Sequence, residues 1–532
     1  MHRLRTRAEL AAWRRQQTAP VHFVPTMGAL HAGHQQLFRR AAEPTAVSSP
    51  VAVSSPIGGT QPVVLASVFV NPLQFGAGED FERYPRDLEA DAALAEQAGV
   101  DALWAPGLED VYPGGMEALT AIEPPQALQQ VLCGRSRPGH FHGVATVVVR
   151  LLTLARPDRL VMGEKDWQQL VILRKVASDL ALPLWVQGCA TVRDPQGLAC
   201  SSRNRYLNPH QLEQARALPA ALETAAQAFQ AGTRGAAELV AGVRARLEAA
   251  QLAVDYVELV AAHNLSPQPQ ATGVCLLAAA VQCGPSRLID HTVLMSRSPI
   301  VAIDGPAGAG KSTVTRAFAK RLGLVYLDTG AMYRALTWWV QQQGVDPADA
   351  QAVAPLLEGL DLQLSAAPGG EQQVHINGHA VTEAIRSPEV TAQVSVVAAH
   401  GCVRDALTRQ QQAMGSRGGL VAEGRDIGTA VFPDAELKVF LTATPAERAR
   451  RRALDLEQRG FAVPPLAELE AQIVERDHLD STREVAPLLQ AADAVEVITD
   501  GLAIEAVIQR LVDLFRDRVP EEAWPNPTPT AL

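Results

Sequence analysis

Ser298 to Thr313 reads SPIVAIDGPAGAGKST, a stretch that few folds can accommodate. The apolar run Ile300 to Ile303 leads into glycines at 305, 308 and 310, followed by Lys311, Ser312 and Thr313. This order predicts a buried strand, a phosphate loop and a helix start. In the loop Gly305-Pro306-Ala307-Gly308-Ala309-Gly310, the glycines let backbone N–H groups curl around phosphate oxygens. Lys311 supplies a mobile positive charge, and Ser312 offers a hydroxyl to a magnesium ion at the helix N-terminus. A chance Gly-rich turn before a lysine does not need the apolar strand in front of it. That strand reads as the first of a doubly wound α/β sheet, so a domain begins near Ser298 and everything upstream is another domain.

The chain's 532 residues, 47% of them hydrophobic, have room for two or three domains. A net charge of −10 argues against a nucleic-acid-binding surface as the main purpose. The six cysteines show neither CxxC pairs nor metal-like spacing, which suits reduced thiols in a cytoplasmic protein. MHRLRTRAELAAWRRQQ is rich in arginine but has no apolar core, so it reads as a helix over residues 4–17 rather than a secretory signal. No segment approaches about 20 continuous apolar residues, so no membrane span is expected.

Upstream of the phosphate loop, VHFVPTMGALHAGH reads as a strand, a tight turn at Thr26–Gly28 and a helix opening near Gly33. His31 and His34, three apart, would point the same way on a helical turn. Capping or surface roles compete with catalysis for this pair, and no HExxH arrangement marks a zinc protease. Residues 43–62 contain AVSSPV followed by AVSSPI, a duplicated low-complexity segment expected to be a flexible, dispensable insertion. A strand from Val63 to Val70 ends in NPLQF, and a charged helix follows from Tyr84 to Ala98. Further on, the strand Arg159 to Met162 ends in GEKD, where chemistry in open α/β sheets gathers. Lys165 and Gln169 are four apart and can share a face of the next helix, although a surface salt bridge would also explain Lys165. LACSSRNRYL offers hydroxyls beside Arg203 that suit either phosphates or the cap of a helix over His210 to Ala228. From about 208 to 297 helices alternate with the strands Val254 to Val260 and Val274 to Ala280, a smaller α/β lobe.

Taken together, PTMGALHAGH, FVNPLQF, RYPR, RPGHFHG, GEKDWQQ and SSRNRYL resemble, in order and spacing, the pantothenate synthetase (pantoate–beta-alanine ligase) family, over essentially residues 1–295. The resemblance implies a Rossmann-like nucleotidyltransferase domain whose HxGH signature is His31 to His34. It implies ATP held by Met27, Gly28, His31, His34, Gly163, Glu164, Lys165, Asp166, Ser201, Ser202 and Arg203, with Val192 and Cys200 on the adenine side. Cys200 stands where the family is expected to carry Met or Leu. Gln74 and Gln169 would hold pantoate and beta-alanine. Catalysis, through an acyl adenylate, would fall to His34, His31, Lys165 and Arg203, with His34 as proton donor. A different adenylating enzyme, acting on another acid, remains open on these residues.

Beyond the phosphate loop, LDTGAMYR, EGRDIGTAVFPDA and RDHLDSTR follow, with an arginine-laden helix at Glu447 to Gly460. Residues 354–400 read as a partly strand-like inserted lobe. Arg476, Asp480 and Arg483 are spaced to share one helix face. Several arginines near a phosphate loop favour phosphoryl transfer between nucleotides over a switch GTPase. From about Pro299 to Arg516 the chain resembles bacterial cytidylate kinase, a P-loop nucleoside monophosphate kinase. That resemblance implies Lys311 on the ATP phosphates, Ser312 on Mg2+, and Ser395, Arg404 and Asp426 on cytosine. It puts Arg476 and Asp480 on the ribose, Arg334, Arg425 and Arg483 around the monophosphate, Thr329 among the CMP-binding residues, and Arg448, Arg450 and Arg451 on a lid. The expected organisation is therefore a ligase over 1–297, a CMP/dCMP kinase over 298–519 and a disordered tail over 520–532, with the halves separable at Arg297–Ser298. The expected partners are small molecules (pantoate, beta-alanine, CMP or dCMP, ATP), with a homodimer through the ligase half left open. The competing reading is that one half serves only binding or oligomerisation.

Overall fold

The computed structural model describes residues 1–44, 61–76, 78–117, 119–366, 372–458, 460, 462–483 and 485–527. The duplicated AVSSPVAVSSPI segment lies outside them. The chain divides into two compact units, Met1–Ser296 with Asp513–Pro525, and Arg297–Val512 with Asn526–Leu532.

The first unit is built on six strands, β1 (His2–Leu4), β2 (Val21–Thr26), β3 (Val63–Val68), β4 (Ala102–Trp104), β5 (Arg159–Gly163) and β6 (Trp185–Cys189). They form a parallel sheet in the order β1-β4-β3-β2-β5-β6. Sequence order reverses direction between β2 and β5, which opens a crevice at their carboxyl ends. β1 falls where only a helix was expected. The helix starts at Arg7, because Thr6 accepts from the Glu9 N–H and the Glu9 carboxylate accepts from the Thr6 N–H. Leu10 and Trp13, the helically spaced pair, are buried.

The smaller lobe is a three-stranded antiparallel sheet of β7 (Ala253–Ala261), β8 (Val274–Cys283) and β9 (Ser286–Met295). β8 and β9 pair from Cys283–Ser286 outward around a Gly284-Pro285 turn, with Gly284 at φ 53. β9 was not anticipated, because the buried polar residues Asp290 and His291 break its apolar pattern. The helix expected over His210 to Ala228 is two, Pro209–Ala215 and Ala217–Gln230, with Arg216 between them.

The second unit carries β10 (Ile300–Asp304), β11 (Val325–Asp328), an antiparallel trio β12 (Leu362–Ala366), β13 (Gln372–Ile376) and β14 (His379–Ala380), then β15 (Leu420–Gly424), β16 (Leu437–Thr442) and β17 (Val495–Ile498). Its parallel sheet runs β11-β15-β10-β16-β17. The phosphate loop leaves the central strand, β10. Gly305, at φ 147, could not carry a side chain, since a Cβ there would stand 2.0 Å from the Leu441 carbonyl oxygen.

Two expectations change. Arg483 lies past the helix Leu466–Thr482 in an extended conformation (φ −63, ψ 143), so it leaves the face shared by Arg476 and Asp480. The tail expected to be disordered from Pro520 is instead ordered as far as the described residues extend. Pro520 and Glu521 are buried, and the N–H groups of Ala523 and Trp524 close a turn on the Pro520 carbonyl. Because Asp513–Pro525 belongs to the first unit, a cut at Arg297–Ser298 would not leave that unit whole.

Candidate active sites

In the first unit, β2 delivers the loop Met27–Leu30 and the helix Ala32–Ala41. Gly28 has φ 84, and a Cβ there would strike the Asp91 carboxylate at 2.7 Å. Buried Asp91 accepts from the Ala29 and Leu30 N–H groups at 3.0 and 2.7 Å, pinning the loop. Its position in a charged helix gave no sign of this role. His31 caps the following helix. Its Nδ1 accepts from the Gly33 N–H at 3.1 Å, while the His34 Nδ1 accepts from the His31 N–H at 3.3 Å. The rings lie 4.2 Å apart. Capping and shared orientation are therefore both true of this pair.

With both Nδ1 atoms accepting, each neutral ring carries its proton on Nε2 and presents an N–H donor. Burial, then the nearby Lys165 charge, lowers His31 to about 4. Burial, then His31 and Lys165, lowers His34 to about 3. The pair is neutral at pH 7 in the absence of an anion.

β5 delivers Gly163 and the turn Glu164–Asp166, and the next helix starts only at Trp167. Lys165 thus sits on the turn before the helix rather than on it. Lys165, Asp166, Gln169, Ser201 and Arg203 all line one cavity of about 270 Å3. Glu164 does not join them. It is 1% exposed, and its carboxylate accepts from the Glu521 and Glu522 N–H groups at 2.8 and 3.1 Å. Gln74 donates to the Met27 sulfur at 3.0 Å, and Asn71 donates to the Gln74 Oε1 at 3.2 Å. Cys200 donates its N–H to the Val192 carbonyl, closing the loop between them. The Ser201 hydroxyl caps the Arg203 N–H, and the Ser202 hydroxyl meets the Tyr84 hydroxyl at 3.3 Å.

The Arg203 guanidinium makes two hydrogen bonds of 2.9 Å to Asp80. Arg137 similarly grips Glu79 and lines the same cavity. Neither carboxylate belongs to a motif that carries the family resemblance. Both lie just after NPLQF, and that proximity was the available signal.

In the second unit, Lys311 is buried and its ammonium donates to the Gly305 and Pro306 carbonyls at 2.8 Å each. Burial, then Arg425, lowers it to about 7. Ala307, Gly308 and Ala309 continue the loop, Gly310 (φ 86) caps the helix Lys311–Leu322, and Thr313 is exposed on its first turn. Ser312 donates to the Glu423 Oε1 at 2.5 Å, while the buried Glu423 Oε2 has no hydrogen-bond partner among the described residues. An orphaned carboxylate oxygen beside a hydroxyl suits a hard divalent cation. Glu423 opens the EGRDIGTAVFPDA motif, where its spacing alone carries no sign of this role.

At the carboxyl end of β15, Asp426 and Arg404 form a buried ion pair, and the Arg404 guanidinium lies over the Tyr333 ring. Arg425 donates to Asp480 at 3.2 Å, and Arg483 approaches Asp426 and Asp480 at 3.9 and 4.0 Å. Arg334 donates to Asp328 at 2.9 Å, and Thr329 to the Glu423 carbonyl at 2.7 Å. Ser395 is half-buried on the helix Pro388–Ala399, which packs against the helix of Arg334. Burial, Arg425 and Arg334 lower the pKa of Arg476, and burial and Arg404 lower that of Arg483. Cations that depress one another in this way form a site that favours an anion.

The three helix arginines differ from a lid. Arg448 is buried, pairs with Asp477 and donates to the Ala307 carbonyl at 3.1 Å. Arg451 donates to the Ala309 carbonyl at 3.2 Å. Both donate to carbonyls of the phosphate loop, and exposed Arg450 pairs with Glu447. Among the described residues no helix is long and apolar enough to cross a membrane.

The family model for pantoate-beta-alanine ligase matches residues 2–293, and that for cytidylate kinase matches residues 301–517. A bifunctional pantoate ligase/cytidylate kinase of Prochlorococcus marinus (strain MIT 9313) is 65% identical over 97% of this chain and 99% of its own. One of the same name from Parasynechococcus marenigrum (strain WH8102) is 64% identical over 98% of this chain and 99% of its own. The crystal structure of pantothenate synthetase from Thermus thermophilus matches with 42% identity and a TM-score of 0.50, covering 55% of this chain and 99% of that one.

Proposed function

We propose that this chain, which belongs to the bifunctional pantoate ligase/cytidylate kinase family, performs its two ATP-dependent reactions with the groups gathered at these two strand ends. The observation that supports the ligase reading is the neutral His31–His34 pair beside Lys165, where β2 and β5 diverge. A carboxylate is too poor an electrophile for an amine. A pantoate carboxylate oxygen therefore attacks the α-phosphorus of ATP and pyrophosphate leaves; the beta-alanine amine then attacks the acyl carbon of the adenylate, forming the amide as AMP leaves and the amine loses a proton. The two Nε2–H groups and the Lys165 ammonium stabilise charge on the departing phosphates as preorganised donors. In the free protein His34 is a hydrogen-bond donor rather than an imidazolium. Arg203 exchanges Asp80 for a phosphate oxygen, while Gln74 and Gln169 place pantoate.

In the kinase, the loop N–H groups and Lys311 hold the donor phosphates, and the arginine cluster holds the acceptor phosphate. Ser312 and Glu423 would hold Mg2+, which supplies charge neutralisation between the phosphates. A cytoplasmic setting keeps the six thiols reduced.

The buried Arg404–Asp426 pair reads the base. The Asp426 carboxylate, whose Oδ2 is held by Arg404, accepts from the cytosine amino group at Oδ1, whereas uracil presents a carbonyl and leaves Oδ1 without a hydrogen-bond donor. An unsatisfied buried polar group costs about 1–3 kcal/mol, so CMP should be preferred over UMP by at least about tenfold. Asp426→Asn, which can donate as well as accept, should narrow that preference chiefly by harming CMP. Comparing kcat/KM for CMP and UMP in this variant tests the assignment, and an unchanged ratio would remove Asp426 from base recognition.

A further inference from the structure

The segment Asp513–Pro525 follows the kinase in sequence yet belongs to the ligase unit. Within that unit it touches four elements around the proposed ATP site. Glu521 and Glu522 donate their N–H groups to Glu164, the residue immediately before Lys165. The Glu522 carboxylate accepts from the Thr191 N–H at 2.7 Å, next to Val192, and pairs with the buried His291 of β9 at 3.4 Å. The Glu521 carboxylate pairs with Arg40 at 2.5 Å, on the helix that His31 caps, and accepts from the Ala190 N–H at 3.4 Å. Farther back, Arg159 at the start of β5 meets Asp513 at 3.6 Å, and Arg174 meets Asp517 at 2.9 Å.

Glu164 is enclosed on all sides. It is 1% exposed, and its Oε1 already stands 3.0 Å from where a Cβ on Gly188 of β6 would be. Its backbone leads directly into Lys165, so the orientation of the turn is tied to the two donated N–H groups. Burial raises Glu164 to about 7, so withdrawing those donors would make its ionised form still harder to keep. Glu522 behaves oppositely. Burial works against its charge, but His291 and the Thr191 N–H outweigh it and hold the carboxyl at about 2.

From these contacts we infer that Glu521 and Glu522 are positioning residues of the ligase, fixing the Glu164–Asp166 turn and the Ala190–Val192 strand end against the HxGH helix for ATP. No atom of either residue needs to touch the nucleotide. The ligase site would then be complete only when the polypeptide beyond the kinase sequence is in place. This inference rests on the reading of Lys165 and Val192 as ATP contacts.

The test uses the full-length protein with Glu522→Ala, Glu522→Gln, the double variant Glu521→Ala/Glu522→Ala and, as reference, Lys165→Ala; the glutamate substitutions keep the two backbone N–H groups but remove the carboxylate contacts to Arg40, Ala190, Thr191 and His291 that hold them against Glu164. Pantoate-dependent exchange of pyrophosphate into ATP reports the ligase, and CDP formation from CMP reports the kinase. The double variant should raise the ligase KM for ATP at least tenfold while kinase kcat/KM stays within about twofold of wild type. Glu522→Gln keeps an acceptor for the Thr191 N–H and should recover much of the loss seen in Glu522→Ala. A wild-type KM in the double variant overturns the inference. So does a fall in kcat at unchanged KM, the signature of a smaller folded fraction. Lys165→Ala separates the two levels. If it leaves exchange intact, the ATP-site reading itself fails. If it abolishes exchange while the double variant behaves as wild type, only the positioning role fails.

Discussion

Replacing His34 by alanine should lower pantoate-driven exchange of pyrophosphate into ATP by about 10²- to 10⁴-fold, the range typical of a positioned proton-transfer or charge-stabilising group. Two losses combine. The Nε2–H donor aimed at the developing charge disappears, and so does the Nδ1 acceptor that satisfies the His31 N–H at 3.3 Å. The second loss loosens His31, which is 4.2 Å away, so His31→Ala and His34→Ala should be less than additive. The pH profile separates the possible roles of His34. A neutral donor predicts no loss of kcat/KM for ATP as pH rises from 6 to 8, because a ring lowered to about 3 in the free protein has no proton to lose there. A general acid already charged in the free protein would lose activity over that interval. Exchange at the wild-type rate in His34→Ala would leave His34 a helix cap only.

Lys311→Ala should lower CDP formation by about 10²- to 10³-fold, on the scale of losing one preorganised charge-stabilising donor, and should do so equally for CMP and UMP. Lys311 is 8% exposed, and its ammonium donates to the Gly305 and Pro306 carbonyls. Burial and the Arg425 charge lower it to about 7, so the empty site partly lacks its proton at neutral pH. Phosphates bind the charged form, so binding above that pKa must take up a proton. The sign follows: wild-type kcat/KM for ATP should fall as pH rises through about 7 in the free enzyme, and Lys311→Arg, which stays charged, should flatten that limb. A variant that affects CMP far more than UMP would place Lys311 on the acceptor instead.

Much of both sites was legible because their chemistry is local in sequence. Gly305, Lys311 and Ser312 form one strand, loop and helix turn, and His31 and His34 sit on another. Such patterns survive whatever packs around them, and the family resemblances added the substrates. The less legible features depend on partners distant in sequence. Glu164 sits inside a recognised motif but spends its carboxylate on N–H groups 357 and 358 residues away. Arg203 pairs with Asp80 across 123 residues, and Arg448, legible only as part of a charged helix, reaches the phosphate loop across 141. Strands failed where their alternation was interrupted, as in β9 with its buried Asp290 and His291. The proline-rich stretch from Pro520 looked disordered because composition alone does not show that Glu521 meets Arg40.

Two reactions, each with its own residues, should be separable by single substitutions in one polypeptide. The deciding measurement assays full-length wild type, His34→Ala and Lys311→Ala in parallel for pantothenate from pantoate plus beta-alanine and for CDP from CMP. Wild type should form both products, His34→Ala should form CDP at the wild-type rate with little pantothenate, and Lys311→Ala should show the reverse. Either substitution removing both activities from folded protein, or wild type failing to form one of the two products, would contradict this assignment of the two sites.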